Sequence, residues 1–230
     1  MSFYLDTLTA CQARFRKHRD RWLEHQIRDF AKGLGRRITV LDVGGYPALW
    51  NDRLSSWPVA SVCAINRRIQ AVSSRFIVAD ALALPFVDHA FDLVHTNSLI
   101  EHIPAAQQTL CFNELCRVGN AVYLQTPNRR FPIEPHFCFP WFTFLPSTCR
   151  AWIARHWPGS WYHVIPGMTV NDAVHDALTL HLLTASELQA LTTTDPGHRR
   201  WMLHRERMAG FTKSFCLFGS PGDRLPSAAH

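Results

Sequence analysis

Apolar and polar positions along this chain alternate between two rhythms. Short, nearly unbroken apolar runs occur at Ile38–Val43, Val59–Ile65, Phe76–Ala79, Ala90–His95 and Ala121–Gln125. Each is too short for a stable helix and reads as a strand covered on both faces, as in a parallel sheet flanked by helices. Between and before them lie longer stretches with helical spacing. Leu5–Leu34 carries Leu8, Phe15, Trp22, Ile27 and Phe30 among basic residues and reads as one or two helices, stopped by Gly33 and Gly35. This segment packs on the sheet or over its ligand edge, with a partner or membrane surface as the alternative for its basic face. Ala105–Val118 reads as a further helix, and Pro47 suits the first turn of a helix after the first strand. Thr184-x-x-Glu187 is a capping box that opens a short helix to Leu191. Trp201–Arg207 and Thr212–Phe218 read as a hairpin turning at Ala209-Gly210.

From Asn128 to about Asn171 the periodicity gives way to Pro, Trp, Phe and His. Such an excursion after a strand's carboxyl end predicts an insertion roofing a ligand site, a lid-like segment over 128–171. Its aromatic run, Phe137 to Phe144 with Trp152, Trp157 and Trp161, forms the lid's own small core, covers an apolar acceptor or sits at a lipid interface. The expected organisation is a single domain over 1–218, with an N-terminal helical segment at 1–35 and a flexible tail at 219–230.

The strand ends carry the chemistry. The first closes on Asp42 and the pair Gly44-Gly45, the second on Asn66, the third on Asp80-Ala81 and the fourth just before Thr96-Asn97. Polar groups at successive carboxyl ends are what a parallel α/β sheet needs to hold a nucleotide-like ligand.

Composition narrows the class. At 230 residues with 47% hydrophobic content, the chain supports one sizeable core and is not disordered. The net charge of +6 leaves room for an anionic partner, but no nucleic-acid motif accompanies it. Seven cysteines are scattered without a CxxC pair, which suits reduced thiols and a cytoplasmic location. No signal peptide and no span of ~20 apolar residues is present. No cluster shows metal-ligand spacing, so no metal requirement is predicted.

DALALPFVDHAFDLVHTNSLIEHI, following LDVGG, resembles the third- and fourth-strand signature of the class I S-adenosylmethionine-dependent methyltransferases. LQTPNRRFPIEPHFCFPWFTFLP and ERMAGFTKSF extend the resemblance toward a bacterial small-molecule subgroup associated with glycan or secondary-metabolite pathways. The resemblance implies a seven-stranded Rossmann-like sheet with helices on both faces and a C-terminal antiparallel hairpin. It also implies S-adenosyl-L-methionine as cofactor, held by Asp42, Gly44, Gly45, Asn66, Asp80, Ala81 and Asn97. Two departures stand out. Tyr46 and Ala48 occupy positions where the family places glycines, and Asn66 replaces the usual ribose-gripping carboxylate, so weaker cofactor binding is expected.

Asn128, Arg129 and Glu101 are expected to face the acceptor, with Arg129 and Arg130 suited to an anionic group. A hydroxyl acceptor needs a base, and His136 or His102 is the candidate, with Glu134 orienting. A carboxylate acceptor needs none. Three other readings stay open: a catalytically degenerate scaffold of the same fold, a nicotinamide-dependent oxidoreductase without the G-x-G-x-x-G turn, and a basic nucleic-acid binder, an RNA methyltransferase among them. The acceptor, whether anionic or apolar, and the oligomeric state are not specified by the sequence.

Overall fold

The computed structural model describes residues 2–67, 75–160, 162 and 168–222, with side chains from residue 16 onward. Leu8 and Phe15 of the expected first helix face, and Trp161 of the aromatic run, therefore lie outside the described side chains. A seven-stranded sheet is the frame: β1 (Ile38–Val43), β2 (Val59–Asn66), β3 (Phe76–Val78), β4 (Phe91–Asn97), β5 (Gly119–Pro127), β8 (Arg200–Met208) and β9 (Phe211–Ser220). Their order is β3-β2-β1-β4-β5-β9-β8. The first five run parallel, and β9 enters antiparallel beside β5 with β8 at the edge. The strand order reverses between β1 and β4, and the crevice at such a switch point is where open α/β sheets bind ligands.

Because side chains alternate across a strand, each strand feeds two cores. Leu41, Val43, Val94, Val122, Leu124 and Leu217 face α3 (Gln108–Val118) and α6 (Ala185–Thr192), meeting Phe112, Leu115 and Leu188. Val40, Leu93, Ala121, Tyr123 and Phe218 face the other way, toward α1 (Ser2–Leu34). Leu23, Ile27 and Ala31 of α1 recur every four residues and are fully buried there, beside Trp50 and Trp57. The helix is single and continuous. Gly33 lies inside it, and Gly35, at φ +66°, makes the left-handed stop. Pro47 opens a 3-10 turn, Pro47–Trp50, that leads into α2 (Asn51–Ser56). The short β2–β3 connection, residues 68–74, lies outside the described residues.

The aperiodic stretch after β5 is a folded subunit of its own. A two-stranded ribbon, β6 (Ile133–Glu134) with β7 (Phe139–Pro140), precedes α4 (Ser147–His156) and α5 (Val170–Thr179). Phe137, Phe142, Ile153, Ala173 and Ala177 form its core, with Phe137 and Phe142 stacked at 4.2 Å. The segment thus runs past residue 171 to the end of α5. At the other end of the chain, Gly219 and Ser220 belong to β9, because they pair with Trp201 and Arg200. Among the described residues, no helix is long and apolar enough to cross a membrane.

Candidate functional site

The site begins at the carboxyl end of β1. Gly44 takes φ +85°, a conformation that glycine adopts without cost, and its N–H donates to the Ile65 carbonyl at 2.7 Å. Its own carbonyl accepts from the Asn66 side-chain amide at 3.2 Å. A Cβ on Gly45 would stand 1.8 Å from Asp42 Oδ2, so no other residue fits there without displacing that carboxylate. Asp42 is 1% exposed and is committed inside the protein. One oxygen accepts from Trp50 Nε1 at 2.8 Å, and the other lies 2.6 Å from His95 Nδ1. Asp42 and His95 are partners in the parallel register, as are His95 and Tyr123, so the three share one row across the sheet. The His95 ring stacks on Tyr123 at 5.0 Å and meets Trp50 edge-on. Asp42 thus ties Trp50, just past the turn, to His95 of β4.

Two adjoining cavities open over this turn. The larger, about 500 Å³, is lined by Asp42, Gly44, Gly45, Asn97, His102 and His136, with Arg16 and Arg19 of α1 and Tyr162 and Asp176 of the insertion. The smaller, about 340 Å³, is lined by Asn66, Arg67, Ala79, Ala81, Leu99 and Ile103. Gly44, Tyr46, Ser98 and His102 line both. Tyr46 has ordinary extended backbone (φ −137°, ψ 140°) and lines both cavities. Ser98 sits at φ +54° and is clamped by Gln125, whose side-chain oxygen accepts its hydroxyl at 3.0 Å. Both volumes are in the range of small-molecule sites. A nucleoside fits this arrangement: the side-chain-free Gly44 leaves room against Leu99, which an added Cβ would approach to 3.1 Å. Asn66 and Ala81 would hold it in the smaller cavity. Asp80 does not line that cavity. Its Oδ1 accepts the Leu82 N–H at 3.0 Å and its Oδ2 is 3.8 Å from Arg67, so the side chain shapes the turn that presents Ala81.

The acidic and imidazole groups converge at the other end. Glu134 reaches His136 Nδ1 through one oxygen at 2.7 Å and accepts the Phe137 N–H through the other at 2.8 Å. Burial alone would lower the His136 pKa, but the Glu134 charge and hydrogen bond outweigh it and push it up to about 9. The ring is therefore charged at neutral pH. Asp176 of α5 lies 3.4 Å from His102 Nδ1 and accepts a short hydrogen bond from the Tyr162 hydroxyl. Burial would raise the Asp176 carboxyl, yet His102 and Tyr162 hold it below the usual range. The His102 and His136 rings meet edge to face at 5.3 Å. Behind them Glu101 is fully buried and accepts from Thr126 Oγ1 at 3.1 Å.

The candidate residues thus divide. Asp42, Gly44, Gly45, Asn97, His102 and His136 line the larger cavity, Asn66 and Ala81 the smaller, and Glu134 and Glu101 stand just behind. Asn128 and Arg129 are elsewhere, contrary to expectation. Asn128 is buried, donating to the Thr212 carbonyl at 2.7 Å and accepting the Arg130 N–H, because β5 ends against the hairpin there. Arg129 pairs with Glu187 at 2.9 Å and lines a separate cavity beside α6. The cationic side chains that do line the larger cavity are Arg16 and Arg19 of α1 and Arg53 of α2. Sequence reasoning also passed over His95, Tyr162 and Asp176. A histidine within an apolar strand was the signal for His95, whereas Tyr162 and Asp176 acquire meaning only through contacts with residues distant in the chain.

Comparison with known proteins places this geometry. The sheet and its switch-point crevice define a Rossmann-like nucleotide-binding fold. Residues 55–120 match a family model described as a methyltransferase domain. No curated protein matches the sequence. Among solved structures, 1,6-didemethyltoxoflavin-N1-methyltransferase from Burkholderia thailandensis, with bound 1,6-didemethyltoxoflavin and S-adenosylhomocysteine, is 13% identical, covers 96% of this chain and 90% of its own, and has a TM-score of 0.52. The small RNA methyltransferase HEN1 is 11% identical over 93% of this chain and 26% of its own, with a TM-score of 0.54. A protein from Rhodobacter sphaeroides described as a putative Zn-dependent alcohol dehydrogenase is 10% identical over 86% of this chain and 90% of its own, at 0.52. At such identities the three establish the fold. With the domain match, the chain shares this fold with these methyltransferases and is similar to a methyltransferase domain over residues 55–120.

Proposed function

We propose that this protein methylates an oxygen, hydroxyl or carboxylate, of a small anionic acceptor lodged in the larger cavity. The cofactor occupies the smaller cavity and the glycine turn, and supplies a methyl group already activated on a sulfonium sulfur. The chain's own task is then to bind, orient and exclude water, and well-ordered positioning of this kind is worth ~7–11 kcal/mol. The observation that carries the reading is the pair of carboxylate-anchored histidines facing the cavity opposite Gly44. Anchoring Nδ1 of His136 directs its Nε2 toward the acceptor. As an imidazolium, His136 donates to the acceptor oxygen, while His102 is placed to take a proton from a hydroxyl. Arg16, Arg19 and Arg53 line this cavity together with Asp20, Asp42 and Asp176. Arg19 lies 3.8 Å from Glu206 and Arg53 pairs with Asp20, so the negatively charged acceptor is assigned to Arg16. Buried thiols such as Cys111, raised to about 12 chiefly by burial, suit the reducing cytoplasm.

The test is a transfer assay with radiolabelled S-adenosylmethionine against panels of small hydroxy acids, carboxylic acids and amines. Label should appear in the oxygen acceptors, and with hydroxyl acceptors His102→Ala should cut the rate ~10²–10⁴-fold. Transfer to amines alone, or cofactor binding without transfer to any panel, would overturn the proposal.

A further inference from the structure

Glu101, His102 and His136 each offer one ligand atom, and these atoms all lie within 4.8 Å of one another. Thirty-odd residues separate the first two from the third, but the loop after β4 and the ribbon after β5 lie side by side at the same end of the sheet. The second observation concerns Glu101. It is 0% exposed, its Oε2 takes the Thr126 hydroxyl, and its Oε1 has no hydrogen-bond partner among the described residues. A buried carboxylate oxygen without a donor is costly to keep and calls for a positive partner. The two nearest side chains of the triad are imidazoles, which are themselves ligands.

We propose that Glu101, His102 and His136 bind a divalent transition-metal cation whose open coordination positions face the acceptor cavity. Two imidazole nitrogens and one carboxylate oxygen suit zinc, iron, cobalt or nickel better than magnesium or calcium, which prefer oxygen-only sets. At bond lengths of ~2.0–2.2 Å, ligand atoms around one cation stand roughly 3–4 Å apart, so the triad needs to contract by about an ångström. His102 and His136 can make that adjustment, since neither is fully buried. His136 has Nδ1 bound by Glu134 and so presents Nε2, the carboxylate–histidine arrangement that orients metal ligands elsewhere. The cation would supply the positive charge that the imidazolium provides in its absence. An acceptor hydroxyl on an open position would lose its proton to water more readily than in solution. This inference rests on the larger cavity being the acceptor compartment.

The experiment is titration of chelator-treated full-length protein with Co²⁺, followed by visible d–d absorption, and with Zn²⁺ by calorimetry. S-adenosylhomocysteine binding is measured in parallel on the same samples. One equivalent of Co²⁺ per chain should bind. Glu101→Gln and His102→Gln should each weaken binding at least tenfold, and Glu134→Gln, which acts through His136, by ~10–100-fold. Cys149→Ser, at an exposed thiol, should leave the affinity unchanged. Absence of saturable binding, or affinity that survives both Glu101→Gln and His102→Gln, would overturn the site. The half-exposed His102 keeps the test decisive if the buried Glu101 variant misfolds. S-adenosylhomocysteine binding without metal binding would sink the metal site and leave the proposed function standing; metal binding without S-adenosylhomocysteine binding would do the reverse.

Discussion

At the scale of single residues, the site depends on a few atoms that leave no alternative side chain. Gly45 is the clearest case, since its missing Cβ makes room for the Asp42 carboxylate that ties Trp50 to His95. Gly45→Ala should weaken S-adenosylhomocysteine binding at least tenfold and lower stability by about 2–3 kcal/mol, as displacing a buried hydrogen-bonded carboxylate commonly does. Calorimetry and urea unfolding read the two effects separately. Asn66 behaves differently from what its position in the sequence suggests. Its amide donates to the Gly44 carbonyl, a bond that a carboxylate cannot make. Asn66→Asp should therefore lower cofactor affinity about fivefold, the equivalent of one lost hydrogen bond of ~1 kcal/mol, and not raise it. A gain in affinity, measured by the same calorimetry, would show that the ribose contact outweighs the turn.

At the scale of elements, caps and strand-start anchors hold the site's parts in place. Both Thr169 with Asp172 and Thr184 with Glu187 form complete capping boxes, opening α5 and α6. Thr184→Ala should cost ~1 kcal/mol in global stability. Thr169→Ala should cost a similar amount and also loosen Asp176 from His102, because α5 carries that carboxylate into the cavity. Near the start of β4, Asp92 accepts two bonds from Arg36 at 2.7 Å and others from Thr39. Burial pushes the Asp92 carboxyl up, but the Arg36 and Thr39 bonds and the Arg36 charge outweigh it and hold it below 3.8. The lowered folded value means that the stability contributed is present above about pH 4 and lost as pH falls through the folded pKa. Asp92→Asn should thus cost about 1–2 kcal/mol near neutral pH, discounted for the exposed Arg36, and the deficit should shrink in acid. Parallel urea melts of wild type and variant between pH 3 and 7 check the trend.

At the scale of the whole molecule, two bodies of packing meet around the larger cavity. The sheet with its helices makes the floor, and the aromatic insertion, with its separate core around Phe137 and Phe142, makes the wall bearing His136, Tyr162 and Asp176. Phe142 is 2% exposed, so Phe142→Ala should remove ~3–5 kcal/mol from that core. Limited proteolysis should then cut within residues 128–179 while the sheet stays protected. Simultaneous loss of both would show that the insertion has no independent core.

Much of the frame could be read from local pattern. The strand runs, the glycine turn, the capping box at Thr184 and the terminal hairpin all appear within a residue or two of their expected places, because each depends on neighbours in the chain. The Thr169-x-x-Asp172 cap was equally legible by spacing, yet it was masked by the aperiodic aromatics before it. What no local pattern could reveal is which groups meet. Asn128 and Arg129 follow β5 as a cleft residue should, but the β9 pairing and α6 claim them. Arg16 and Arg19, far from any motif, are brought to the cavity by the packing of α1 on the sheet. Local chain chemistry determines the turns and strands, since they are made from adjacent residues. The larger cavity, and the company of Glu101, His102 and His136, exist only once distant segments pack, because convergence of side chains is a property of packing and not of spacing.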